Sequence, residues 1–162
     1  MSRTTMFAVA LATVLVMLAC ATAVTVASLP PEQRDAIQVR HFAGPDSVIF
    51  SAVLGMLVDK GYPVMLSDRS TGTIQSGSLV RTPNSGQDFA TGFFGGVVMR
   101  YRQRVAARIK GGDTRLVVSW DHMTRRESFI APEGAWEPYD PSVEDARLAY
   151  DSLFADIRHR LE

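Results

Sequence analysis

The strongest constraint in this sequence is a pair of adjacent glycines, Gly111-Gly112, set between two runs that alternate apolar and polar residues. A two-residue glycine turn suits the twist of the strands it joins, because glycine reaches positive φ without steric cost. Val97 to Lys110 therefore reads as one long strand and Asp113 to Met123 as its return. The turn also sets a register. Lys110 faces Asp113, Ala107 faces Leu116, Val105 faces Val118, Gln103 faces Trp120 and Arg102 faces Asp121. The apolar pairs then share one face and two opposite-charge pairs form, so the register is internally consistent.

Around this hairpin the pattern alternates between strand and helix. Ile37 to Phe42 predicts a first strand at a sheet edge, and Gly44-Pro45 breaks it, with Asp46 or Ser47 as helix cap. Ile49, Ala52, Val53, Met56 and Leu57 recur at helical spacing within Val48 to Lys60, and Gly61 is placed to end that helix in a left-handed conformation. Tyr62 to Leu66 and Thr71 to Val80 read as two strands around the turn Ser67 to Ser70. Pro83 to Gly96, rich in glycine and carrying Phe89, Phe93 and Phe94, reads as a long loop, and Arg125 to Tyr139 as irregular chain. Asp140 as cap and Pro141 at the first position predict a last helix, with Ala146, Tyr150, Leu153, Phe154, Ile157 and Leu161 on one stripe. The expected fold is α+β: an antiparallel sheet of about five strands with two helices packed on one face, in the order β-α-β-β-β-β-α.

The N-terminus carries an address. Arg3 precedes an uncharged stretch from Met6 to Ala19 that ends in small residues before Cys20, the layout of a bacterial export signal. Val16 to Cys20 resembles a lipobox, with Met17 and Leu18 where that pattern usually has leucine and a small residue. Three outcomes fit. Residues 1–19 are a lipoprotein signal and Cys20 is lipidated; or 6–27 is retained as a transmembrane anchor, long enough at about 1.5 Å per residue to span a bilayer; or cleavage after Ala23 releases a soluble protein. Each places the remainder outside the cytoplasm. Residues 20–34, with Pro30-Pro31, are expected to be a tether, and 35–162 the domain proper. If Cys20 is lipidated, the absence of Asp after it resembles lipoproteins sorted to an outer membrane.

Composition narrows the function by exclusion. Across 162 residues, 17 Lys plus Arg balance 17 Asp plus Glu, which argues against a nucleic-acid binder. Cys20 is the single cysteine, so an intrachain disulfide and a multi-cysteine zinc site are excluded. His41, His122 and His159 lack the further ligands that a metal needs, and no Gly-x-Ser-x-Gly elbow offers a nucleophile. No cofactor and no catalysis are expected.

Two features stand out. Arg100, Arg102, Arg104, Arg108 and Lys110 fall on one side of the long strand, joined across the hairpin by Arg115 and partly offset by Asp113 and Asp121. Such a stripe matches anionic partners, since arginine binds carboxylates and phosphates bidentately, although charged outer faces are also routine on antiparallel sheets. The loop with Phe89, Phe93 and Phe94 offers contact with a membrane or a cover for an apolar cleft, or simply a cap on the core. Trp120 and Trp136 read as packing residues.

The run Val53 to Tyr62 followed by Ser67 to Ile74 is similar to a pattern of small bacterial envelope lipoproteins, in which a helix ends in a Gly-aromatic pair and an acidic turn leads to Gly-x-Ile. It resembles the helix-grip domains of the BamC lipoproteins of the outer-membrane β-barrel assembly machine. The resemblance implies a noncatalytic binding or scaffold role and carries over no functional residue. The sequence thus predicts a membrane-tethered envelope lipoprotein, facing the periplasm, whose domain binds an envelope protein or other component through the basic stripe or the sheet edge at Ile37 to Phe42. The alternative is a periplasmic carrier or sensor of a small apolar ligand held between sheet and helix.

Overall fold

A computed structural model describes residues 25–81, 97–126 and 134–162. In chain order these form α1 (Pro31–Gln38), β1 (Val39–His41), α2 (Asp46–Asp59), β2 (Val64–Asp68), β3 (Thr73–Ser76), β4 (Leu79–Arg81), β5 (Val97–Lys110), β6 (Asp113–Arg126), β7 (Glu137–Tyr139) and α3 (Val143–Leu161). The fold is α+β, with an open antiparallel sheet of order β1-β6-β5-β3-β2, β4 pairing with β5 and β7 with β6. Cys20, the phenylalanines Phe89, Phe93 and Phe94, and the whole of the expected signal sequence lie outside the described residues.

The hairpin forms as its turn requires. Every pair expected from Lys110–Asp113 to Arg102–Asp121 is in register, and Gly111 and Gly112 hold φ of 61° and 83°. Val105, Ala107 and Ile109 on β5 and Leu116 and Val118 on β6 point to the buried side. There they meet Ile49, Val53, Met56 and Leu57 of α2 and Ala146, Tyr150, Leu153, Phe154 and Ile157 of α3. Both helices therefore lie on one face of the sheet, as the two stripes demand.

Polar contacts lock the layers together. Asp46 does not cap its own helix; Pro45 stands at that position without a side-chain bond. Its carboxylate instead accepts from the Gly111 and Gly112 amides, each at 2.8 Å, clamping the start of α2 to the hairpin turn. Those bonds hold the Asp46 carboxyl below the usual carboxylate range. On β6, β1 pairs as far as Arg115 and β7 begins at Trp120, which leaves the edge between them without a neighbouring strand among the described residues. The Tyr150 hydroxyl fills that place: it accepts from the Val118 amide at 2.8 Å and from Gln38 Nε2 at 3.2 Å, all buried.

The N-terminal region departs from expectation. Val26 and Leu29, only 7% and 8% exposed, join the core, and Pro31 opens α1 rather than continuing an extended tether. A proline at the first helical position gives up an amide that the helix leaves unpaired anyway, so Pro30-Pro31-Glu32 is a helix start and not a spacer. Ile37 and Gln38 belong to that helix, and the first strand is only Val39–His41. Thr71 to Val80 likewise divides. Gly77, whose amide donates to Pro63 O, separates β3 from β4, and both lie along β5. Ser142 rather than Asp140 caps α3, its hydroxyl accepting from the Asp145 amide at 3.1 Å. Asp140 instead accepts from the Ala27 amide at 3.2 Å. The chain expected to be irregular before it adds β7 to the sheet edge.

Candidate binding face

The alternation that buries one side of β5 turns Arg100, Arg102, Arg104, Ala106, Arg108 and Lys110 to the other. The six expected cations thus share the outer sheet face, with Arg115 directly across from Arg108. Among the described residues neither α2 nor α3 packs on this face, because their apolar stripes are used on the other, and α1 reaches it only at the edge, through Asp35. A row of smaller groups, Gln75, Ala106 and Val117, runs across it between the arginines, with Leu66 at its end.

The cations are not equivalent. Arg102 is built into the structure: its Nε lies 2.8 Å from Asp121 Oδ2, and its guanidinium sits 4.8 Å from the centre of the Trp136 ring. Asp121 is nearly buried, with a side chain 12% exposed, so Arg102 neutralises a charge that water barely reaches. Arg104 reaches the same oxygen at 3.5 Å but is half exposed. Arg100 is partly buried, and among the described residues its Nε has no acceptor. Arg115 is bound at 2.8 Å by Asp35, an acid from α1. That bond is the main cause holding the Asp35 carboxyl below its ordinary value.

Arg108 and Lys110 differ from these. Both are exposed, and among the described residues neither has an ion-pair partner. Lys110 faces Asp113 in register, yet the Asp113 carboxylate is taken by His41 Nδ1 at 2.9 Å. Arg108 stands opposite another arginine, an unfavourable pairing unless an anion lies between them. The two cations border a cleft of about 360 Å³ with Ser47, Phe50, Arg69 and Asp46, whose carboxylate is turned to the Gly111 and Gly112 amides. Arg69 is held there by the Phe50 ring, 5.6 Å from its guanidinium, and by Ser51 Oγ at 3.2 Å. Arg69 had no place in the sequence stripe; it comes from the β2–β3 turn, and only the pairing of β3 with β5 brings it near Arg108.

A second cavity of about 510 Å³ opens at the opposite rim, lined by Val26, Ala27, Arg34, Arg104, Trp120 and Tyr139. Trp120 packs edge-on to Tyr150 at 6.0 Å, and Arg102 covers Trp136, consistent with packing roles for both tryptophans. Between α2 and α3 a third cleft is crossed by the pairs Lys60–Asp156 and Arg160–Asp59, and these charges hold the helices together. No group of three His, Cys, Asp or Glu among the described residues is placed to hold a metal ion. The sheet edge at Ile37 to Phe42 offers less than expected, since Arg40 binds Asp151 at 2.9 Å and only Val39–His41 is strand. The chain matches no family model and no curated protein sequence.

Proposed function

We propose that the chain is an exported, membrane-tethered module of a bacterial cell envelope, noncatalytic, which contacts an anionic envelope component through the outer face of its sheet. The observation that carries this reading is the basic face on which, among the described residues, Arg108 and Lys110 stand exposed and without an ion-pair partner. A face that served only solubility would gain from interspersed charges of both signs. Here the acids that sequence pairing supplies are committed to other groups. The export signal, with Cys20 as the lipidation site, supplies the location.

Two measurements test the reading. The intact mass of membrane-extracted chain, beside a Cys20→Ala form, is expected to show an acylated, processed species that the variant lacks. Affinity recovery from cross-linked envelopes is expected to yield a component that Arg108→Glu/Lys110→Glu loses while retaining its fold. Recovery unchanged by this double charge reversal would refute the role of the basic face. Arg102 and Arg104 are unsuited to the test because the loss of either disturbs Asp121 as well.

A further inference from the structure

We infer that the outer sheet face lies against the anionic headgroups of the bilayer that holds the chain's own N-terminus. The inference rests on the membrane-tethered reading above and names the component as lipid. Its first support is the missing tether. Thr25 bridges to Ser142, the Ala27 amide is bound by Asp140, and Val26 and Leu29 are in the core. Only Ala21 to Val24 separate Cys20 from this folded boundary. Fully extended, the five steps from Cys20 to Thr25 reach about 17 Å. A domain so held has no slack to stand away from the bilayer.

The second support is where the chain enters. Val26 and Ala27 line the same cavity as Arg104, so the attachment adjoins the basic face at its rim. Held there, the face meets headgroups at high effective concentration, and weak contacts suffice without a dedicated protein partner. The third is chemistry. Arg108, Arg69 and Lys110 line one cleft at the rim where the outer face meets the start of α2, with Ser47 beside them and the Asp46 carboxylate, already bound to the Gly111 and Gly112 amides, in the same wall. Arginine pairs with phosphate through two parallel N–H bonds, and lysine adds a mobile donor. Between the cations stand Ala106 and Ser119, short enough to let the long side chains reach a planar surface.

The lysines provide the test. Lys60 and Lys110 are the only two in the chain. Lys60 follows α2 on the helix side and pairs with Asp156, whereas Lys110 lies on the proposed contact face. Full-length protein is added from detergent to vesicles of phosphatidylcholine or of phosphatidylglycerol and acylated with an amine reagent, and the ratio of modified Lys110 to modified Lys60 is read by peptide mass. On phosphatidylglycerol the ratio is expected to fall at least about fivefold, and to recover in high salt, as screening requires. Arg108→Glu is expected to abolish the protection. An equal ratio on both lipids, for protein that stays in the vesicles after an alkaline carbonate wash, overturns lipid docking and leaves tethering intact. Protection that appears only after envelope proteins are added overturns it in favour of a protein partner. If the chain is washed out and its mass shows neither acylation nor a retained anchor, tethering and lipid docking fall together.

Discussion

Replacing Tyr150 by phenylalanine tests whether a side-chain hydroxyl completes the β6 edge, because it removes one oxygen and leaves the ring against Trp120 and Phe154. That oxygen accepts from the Val118 amide at 2.8 Å and Gln38 Nε2 at 3.2 Å. Val118 lies between the stretches of β6 covered by β1 and by β7, so among the described residues no neighbouring strand can take over its amide. A buried amide deprived of its acceptor costs about 1–3 kcal/mol, and the loss of the Gln38 bond adds about 1 kcal/mol. We expect Tyr150→Phe to lower unfolding free energy by about 3 kcal/mol, read by urea denaturation followed in far-ultraviolet circular dichroism. For a domain of this size that corresponds to a fall in Tm of about 10 °C. Gln38→Leu supplies the second arm of a cycle: it is expected to cost stability in the wild type and to be neutral or stabilising when combined with Tyr150→Phe, where the amide is already orphaned. A Tyr150→Phe protein within about 0.5 kcal/mol of wild type would show that the hydroxyl does not complete the edge.

Other perturbations test the remaining contacts. Gly72 has φ of +66°, and a Cβ there would lie 2.1 Å from Ile109 O, so Gly72→Ala is expected to abolish the native near-ultraviolet dichroism or cut stability by at least about 3 kcal/mol. The Asp46 carboxyl titrates below its ordinary value of 3.8 because of the Gly112 and Gly111 amides. Its contribution is therefore present above that pH and lost as pH falls through the lower folded value. Asp46→Asn is expected to flatten this part of the acid limb in a series of denaturation curves, and an unchanged limb would contradict the clamp. Arg102→Ala is expected to cost about 2 kcal/mol by stranding Asp121, whereas Arg108→Ala stays within about 0.5 kcal/mol in the same urea assay. Equal losses would erase the distinction between structural and available cations.

The parts legible in the sequence are those fixed by local periodicity. Gly111-Gly112 set the register of the entire hairpin because strand pairing propagates from a tight turn, one residue at a time. The stripes from Ile49 to Leu57 and from Ala146 to Ile157 located α2 and α3, since burial on one helix face leaves a 3.6-residue pattern. What escaped depends on partners distant in the chain. Pro30-Pro31 looks like a spacer until α1 is seen packed beside α3, with Gln38 bonded to Tyr150. Asp46 looks like a cap, yet the hairpin amides outcompete its own helix for the carboxylate. The stripe of six cations was visible as a pattern. Its division was not, because Asp35 and His41, which claim Arg115 and Asp113, come from the start of the domain. β7, a strand of three residues, leaves too short an alternation to read.

The two ends of the domain close on each other, and this governs when it can be completed. Thr25 meets Ser142, Arg40 meets Asp151, and Gln38 meets Tyr150. Each joins positions more than a hundred residues apart, among the most costly loops to close in a chain of this length. While α3 is still emerging, the buried side of the central hairpin and the apolar side of α2 have no cover from it, and α1 has only the sheet edge to lie on. Final closure is therefore a late step, delayed until the last helix has been delivered. For the exported module proposed above that delay would be useful, since a fold incomplete without its C-terminus cannot jam the passage of its N-terminus.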